Sequence, residues 1–179
     1  LIELLCANGA DASAANARGD TPLALVLKAA QRGSTPAEPV KAPLGGDGRN
    51  FWVAAASCLV RSGARWEPSC HDDLGRSQLH QLFSGPCPPA ADCDALRNLV
   101  LSALDSAFDV NARDHVGDSP LHCLCRRASI TPRAGLPNAA LLAQDLLDRG
   151  AVVVPELWDC ENRPDFAIAD VMPVLRRAR

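Results

Sequence analysis

The chain has 179 residues, of which 47% are hydrophobic, 22% charged and 4% aromatic, and its formal net charge is −3. This length suits one sizeable domain, and the composition is that of an ordinary globular protein. The small negative charge argues against a nucleic-acid-binding surface, and no apolar run reaches the roughly 20 residues that a membrane helix needs.

Segments rich in Ala and Leu alternate with Gly- and Asp-containing turns along the chain. The first, LIELLCANGAD, lacks the basic region of a signal peptide, and without an initiator Met we expect the chain to be a fragment. Each of three later apolar segments directly follows a predicted helix N-cap. The segments are FWVAAASCLV, ALRNLVLSAL and AALLAQDLLD. These N-caps are Asn50, Asp94 and Asn138.

A second pattern recurs four times and precedes another set of predicted helices. Each copy begins with Asp or Asn, has Gly or Asn three residues later, and then has a hydroxyl or Pro residue before an apolar one. The four copies are NARGDTPLAL from Asn16, DDLGRSQLHQL from Asp72, DHVGDSPLHCL from Asp114 and DCENRPDFAI from Asp159. Such self-similarity predicts a repeat architecture.

Each shared position has a physical reason. The turn needs a residue that tolerates positive φ, and the candidates are Gly19, Gly75, Gly117 and Asn162. A hydroxyl caps the helix that follows, and the candidates are Thr21, Ser77 and Ser119. Proline fits the first helical turn, where its missing N–H costs nothing, and the candidates are Pro22, Pro120 and Pro164.

These segments resemble the ankyrin repeat, chiefly through residues 19–23, 117–122, 9–11 and 108–111. The resemblance implies an all-α fold, a solenoid of stacked helix-turn-helix units joined by short finger hairpins or loops. It also implies that His80 and His122, which take the His position of the family motif, are structural and bond around the turns of neighbouring repeats.

The repeats divide a single predicted domain, residues 1–179, into five units. These are the end of a truncated repeat (1–15), three repeats (16–71, 72–113 and 114–158) and a partial repeat (159–179). The repeat starts lie further apart than the roughly 33 residues of the family period. The excess falls in three Pro- or Gly-rich insertions at 33–49, 84–92 and 129–137, which we expect to be exposed and mobile.

Eight cysteines are an even number, which permits disulfides, but their placement favours reduced thiols. Four of them lie in helical, Ala-rich patterns where Cys acts as a small apolar residue: Cys6, Cys58, Cys123 and Cys125. We therefore expect an intracellular protein, cytoplasmic or nuclear. Cys87 and Cys93 flank a Pro-rich loop, and we expect them to be exposed.

The stretch GDSPLHCLC gathers His122, Cys123 and Cys125, as a metal site or a reactive thiol would. However, Cys123 and Cys125 point about 200° apart on a helix, so they cannot chelate one ion. Without a CxxC pair, an HExxH motif or a paired nucleophile and base, we expect no metal, no cofactor and no catalysis. A thiol or zinc switch that uses Cys70, Cys87, Cys93 and His71 is an alternative.

The expected function is a non-catalytic scaffold or adaptor that binds a protein or peptide on the concave face of fingers and first helices. Aromatic, Arg and other polar finger residues are the candidate contacts: Arg65, Trp66, Glu67, His71, Arg113, His115 and Trp158. Packing is the alternative role for Trp66.

We expect a monomer that neither binds nucleic acid nor inserts into membranes. The alternative function is the targeting arm of a larger enzyme, such as a ubiquitin ligase, a kinase or an acyltransferase. Its catalytic domain would then lie outside these 179 residues.

Overall fold

The computed structural model describes residues 1–32, 51–86, 90–130, 138–154 and 171–178. Within these ranges there is no β-strand, and one isolated antiparallel bridge joins His71 to Ser77. The all-α class is therefore confirmed for this part of the chain. The α-helices are α1 (Ile2–Ala7), α2 (Pro22–Arg32), α3 (Phe51–Arg61), α4 (Gln78–Ser84), α5 (Cys93–Leu104), α6 (Pro120–Ile130), α7 (Ala139–Asp148) and α8 (Met172–Arg177).

The helices pack in two rows that are connected by pairwise contacts. Row one consists of α2, α4 and α6, and each of these contacts the next. Row two consists of α1, α3, α5, α7 and α8, again in consecutive contact. The pairs α2–α3, α4–α5 and α6–α7 join the two rows. No helix of the described ranges is long and apolar enough to cross a membrane.

The core lies between the rows because each helix is apolar on the side that faces its neighbours. Leu23, Leu79 and Leu121 hold the same position in the three row-one helices, and all three are fully buried. In row two, Ala56 and Ala143 are fully buried, and such small residues let helices approach closely. Burying one leucine side chain contributes about 1.5–3 kcal/mol, so this repeated apolar position is a main source of stability.

Three row-two helices end in the same way. Gly9, Gly63 and Gly150 follow α1, α3 and α7, and all have φ near +90°. In each case the next residue, an alanine, donates its backbone N–H to the carbonyl five residues earlier. These bonds are Ala10 to Leu5 (3.0 Å), Ala64 to Leu59 (2.9 Å) and Ala151 to Leu146 (3.0 Å). This is the Schellman arrangement, which requires a left-handed residue and therefore favours glycine.

The three predicted N-caps have different outcomes. Asn50 is outside them. Asp94 is not an N-cap, because it lies inside α5. A 3-10 turn at Ala90–Asp92 leads into this helix, which begins at Cys93. Asn138 does occupy the N-cap position of α7, but it has φ +68° and makes no capping bond. Its side chain instead donates to Asp94 Oδ1 at 3.2 Å, so the two predicted caps bond to each other.

The insertions are described only at their edges. The first, 33–49, lies outside the described ranges, and α6 continues to Ile130 at the start of the third. The second insertion begins differently from expectation, because Gly85 is buried beside the indole of Trp52. A Cβ on Gly85 would lie 3.5 Å from that ring. The predicted exposure of 84–92 is therefore wrong at Gly85, where the chain still packs on the core.

Candidate functional site

Three loops connect row two to row one, and we call them fingers one (8–21), two (62–77) and three (105–119). Each contains the same turn, in which one side-chain oxygen accepts two backbone N–H groups. Asn16 accepts from Arg18 and Asp20, Asp72 from Leu74 and Arg76, and Asp114 from Val116 and Asp118, all at 2.8–3.0 Å. A backbone bond from the glycine N–H back to the Asn or Asp carbonyl closes each turn. The repeated sequence pattern thus corresponds to a repeated local structure.

The predicted turn glycines have the expected backbone conformation. Gly19, Gly75 and Gly117 have φ of +79°, +71° and +91°. Their surroundings differ, however. A Cβ on Gly75 would lie 2.4 Å from the His115 ring, whereas nothing lies within 4 Å of one on Gly117. Glycine at 75 therefore serves both the turn and the contact between fingers two and three.

The predicted hydroxyl caps are confirmed in two of three fingers. Thr21 Oγ1 accepts from the Ala24 N–H at 3.3 Å, and Ser119 Oγ accepts from the His122 N–H at 3.4 Å. Ser77 makes no capping bond, and its hydroxyl lies 2.8 Å from His80 Nδ1. Pro22 and Pro120 are the first residues of α2 and α6, as predicted. Asn162 and Pro164 lie outside the described residues.

His80 connects α4 to the following finger. Its Nε2 lies 3.1 Å from the carbonyl oxygens of both Ala112 and Asp118. Carbonyls only accept, so Nε2 carries the proton and donates, while Nδ1 accepts from the Ser77 hydroxyl. The ring is fully buried, and burial lowers the pKa of His80 below its ordinary value. The structural role predicted for His80 agrees with these contacts.

His122 and the neighbouring cysteines have separate environments. His122 Nδ1 lies 2.8 Å from Ser119 Oγ in its own turn, and the finger after it is largely outside the described residues. Cys125 is buried in the core, whereas Cys123 is partly buried beside finger three. The prediction that the two thiols point apart agrees with this placement. GDSPLHCLC is thus a turn and a helix start.

One group of possible metal ligands lies within the described part of the chain: Asp114, Asp118 and Cys123, whose ligand atoms are within 4.8 Å of one another. Their chemistry disfavours a metal. The Asp118 carboxylate already pairs with the Arg126 guanidinium at 2.7 Å, and Asp114 Oδ1 accepts two turn N–H groups. Burial raises the pKa of Cys123 to about 11, so the thiol stays protonated. We assign the group to the structure of finger three.

The thiol switch considered from the sequence has a similar difficulty. Cys93 is buried at the start of α5, so its predicted exposure is wrong. Cys70 is half-buried, and its pKa is raised chiefly by burial, which disfavours the thiolate that would react or bind zinc. Cys87 lies outside the described residues. Cys6, Cys58, Cys70 and Cys123 carry free thiols, as expected for reduced cysteines.

Trp66 is part of the packing between fingers and not an exposed anchor. It is 8% exposed, and its indole N–H donates to Ser102 Oγ at 3.0 Å. Its ring meets Phe108 edge to face, with centroids 6.2 Å apart. Val110 occupies the corresponding place in finger three and is also buried. Of the two roles considered for Trp66, the structure therefore favours packing.

Five of the candidate contact residues are exposed, and all of them lie on fingers two and three: Arg65, Glu67, His71, Arg113 and His115. Several are held by local bonds, which limits their motion. Arg113 Nη1 donates to the Gly117 carbonyl at 2.7 Å, and Glu67 accepts from the Ser69 hydroxyl at 2.7 Å. Trp158 lies outside the described residues.

Sequence reasoning missed two fingertip residues, Leu74 and Val116. Both are large, apolar and exposed, and both stand two residues after the Asp that begins the turn. The N–H of His115, next to Val116, donates to the Leu74 carbonyl at 2.9 Å, so the two tips are joined. The signal was present, because an apolar residue in a polar turn has no packing reason to be there.

The charges of row one are largely paired within the chain. Lys28 bonds Asp20 at 2.5 Å, and this bond raises the pKa of the lysine. Arg76 pairs with Asp72 and Arg126 with Asp118, both at 2.7 Å. The lysine pair and the Arg126 pair each join a finger to its own helix, whereas the Arg76 pair lies within finger two, and little unpaired charge from these side chains is left to attract a partner.

Comparison of the chain with protein-family models and with curated protein sequences finds no match.

Proposed function

We propose that the chain is an array of ankyrin-type repeats that binds a protein or peptide and does no chemistry itself. Three features support the repeat assignment: the two rows of helices, the identical finger turns, and the buried His80 that bonds the next finger. Helix pairs that contact only their neighbours are the organisation of repeat proteins. The proposed role is that of a scaffold or adaptor, in the cytoplasm or nucleus.

The observation that carries the proposed function is the joined pair of fingertips. Leu74 and Val116 present two exposed apolar side chains on fingers that the backbone bond from His115 to Leu74 joins at their tips. Arg113 and His71 are exposed polar residues of the same two fingers. An apolar centre with a polar rim is the usual composition of a protein-binding surface.

Rigidity strengthens this interpretation. Each tip is fixed by a side-chain oxygen that accepts two N–H groups, and His115 packs over Gly75. A surface that is ordered before binding loses less conformational entropy when a partner docks. We propose that the contact set is Leu74, Val116 and His115 together with the exposed candidates Arg65, Glu67, His71 and Arg113.

A catalytic role has less support than binding. The one buried histidine with well-defined bonds, His80, uses both ring nitrogens for structure. The thiols of Cys70 and Cys123 have raised pKa values, which lowers the thiolate fraction that a nucleophile needs.

The test is affinity capture with the immobilised chain, followed by quantitative mass spectrometry of the bound proteins. We compare the unmodified chain with a Leu74→Asp/Val116→Asp double variant and with Leu141→Asp. Leu141 is the matched control, because it is 47% exposed, as Leu74 is at 48%, but lies on α7.

We expect a specific partner that is lost from the double variant and retained by the control. Equal retention by all three chains would show that the fingertips are not the binding surface.

A further inference from the structure

A second apolar surface lies at α1, away from the fingertips. Leu5 on α1 is 52% exposed. Its counterparts stand four residues before the same helix-ending glycine: Leu59 in α3 and Leu146 in α7, which are 4% and 0% exposed. The residue type is the same in all three helices. The exposure of Leu5 therefore reflects a neighbour that α3 and α7 have and that α1 lacks among the described helices.

The two-row packing identifies that neighbour. α3 packs against α2, and α7 packs against α6, so each has a row-one helix of its own pair. α1 instead packs against α3 within row two. Among the described helices α1 also lacks a second row-two neighbour, so two places beside it are open, and the row-one place is the one that would adjoin α2.

A leucine on α2 indicates the same place independently. Leu25 is 45% exposed, whereas its counterpart in α4, Gln81, is 2% exposed. In α6 the counterpart is Cys123, whose thiol bonds Ser84 of the preceding row-one helix. This position thus faces the preceding member of row one. For α2, that member would lie over α1.

We propose that Leu5 and Leu25 form a docking site for one amphipathic helix that has the row-one pattern. The occupant carries leucines four residues apart, as Leu23 and Leu27 do in α2, and it is apolar on two adjacent sides. One such helix covers both leucines, because row-one helices pack against row two on one side and against row one on the next. The site extends contacts that the chain already forms, three times between the two rows and twice between successive row-one helices.

A second copy of the chain fits this place less well. Pairing of two α1 helices would cover Leu5 but would leave Leu25 uncovered. The inference rests on the packing of the two rows and is independent of partner binding at the fingertips.

The test uses the full chain and a fluorescein-labelled peptide with the sequence of residues 16–32, which contains the finger-one turn and α2. Fluorescence anisotropy measures the binding. We expect saturable binding that Leu5→Asp and Leu25→Asp each weaken by about tenfold or more, because each removes the burial of one leucine.

Leu141→Asp is again the matched control and should bind as the unmodified chain does. The Leu74→Asp/Val116→Asp variant should also bind normally, which separates this site from the fingertips. A peptide with Leu23→Ser and Leu27→Ser should not bind. Circular dichroism checks that every variant of the full chain is folded. We expect this because the residues altered in the full chain, Leu5, Leu25, Leu74, Val116 and Leu141, are all exposed.

Three results would overturn the proposal. The first is the absence of saturable binding at millimolar peptide. The second is equal weakening by Leu5→Asp and Leu141→Asp. The third is a dimer in light-scattering measurements that Leu5→Asp converts to a monomer, since a second copy would then be the occupant.

Discussion

Gly75 and Gly117 hold the same turn position but have different surroundings. Both need positive φ, which costs a residue with a Cβ about 1–2 kcal/mol. At Gly75 a Cβ would also meet the His115 ring at 2.4 Å, whereas at Gly117 there is open space. The sequence alone identifies the first requirement, because the turn is local. It cannot identify the second, because His115 comes from the next finger.

We expect Gly117→Ala to reduce the free energy of unfolding by about 1–2 kcal/mol and Gly75→Ala to reduce it by more. Adding His115→Ala to Gly75→Ala should remove the excess, because the ring no longer occupies the space. Urea unfolding of the single and double variants measures the coupling. Equal losses for the two glycine variants would show that the His115 ring moves away at little cost.

His80 is a second residue whose role depends on two levels of structure. Its position in the sequence pattern predicts a structural role, but its pKa depends on the burial that α4 and finger three create. Because the folded-state pKa is lowered, the unfolded chain takes up a proton first as the pH falls. Stability from this group is therefore complete above about pH 6.5 and decreases as the pH drops through that value.

We expect the free energy of unfolding to decrease between about pH 7 and pH 5, with a smaller decrease in a His80→Gln variant. Urea titrations at several pH values measure both slopes. His115→Ala serves as the control, since His115 is exposed, and it should keep the slope of the unmodified chain. If His80→Gln keeps that slope too, other groups control the pH dependence.

At the scale of the element, fingers are joined by side chains that bond the backbone of the next finger. Asn111 Nδ2 donates to the Gly150 carbonyl at 2.9 Å, and its Oδ1 accepts from the Val152 N–H at 2.8 Å. Ser13 is the counterpart in finger one and accepts from the Arg65 N–H at 3.0 Å. These side chains set the spacing of the stacked fingers. The sequence contains the Asn, but not the identity of its partners.

We expect Asn111→Ala to reduce the free energy of unfolding by about 1–3 kcal/mol, because two hydrogen bonds are lost. Ser13→Ala should cost less, about 0.5–1.5 kcal/mol, because its second contact, to the Gly63 carbonyl, is long at 3.5 Å. Chemical denaturation measures both. Hydrogen exchange should also show faster opening of residues 150–154 in Asn111→Ala, and unchanged exchange there would contradict the linking role.

At the scale of the whole molecule, each helix pair depends on its neighbours. The central helices α4 and α5 have described neighbours on both sides within their rows, whereas α1 has no buried residue. Stability in such a stack is roughly a sum of the units and their interfaces. We therefore expect a gradient of local stability along the chain.

Native-state hydrogen exchange should show the slowest exchange in α4 and α5 and the fastest helical exchange in α1. The peptide of residues 16–32 should slow exchange in α1 if it docks there. Hydrogen exchange in the charge-paired fingers is not expected to change when the peptide is added. Uniform protection of all helices would show that the described part of the chain unfolds as one cooperative unit, against the expectation for repeats.

The sequence by itself determined the local structure of this protein. Glycine in the turns, Asp or Asn before them, and Pro or Thr at the helix starts act through neighbours in the chain, so their roles were predictable. The all-α class was implied by the family resemblance that these segments carry. Two errors were local: α5 begins at Cys93, before the predicted cap Asp94, and the hydroxyl of Ser77 makes no capping bond.

Only the tertiary structure decided what is buried and what is available to a partner. Trp66 is covered because Ser102 of α5 and Phe108 of finger three reach it, and Cys93 is covered because its helix begins inside the core. Leu74 and Val116 became a candidate surface because the stacking of fingers places them together. Burial depends on distant residues, and for that reason local pattern identified the turns but not the surface.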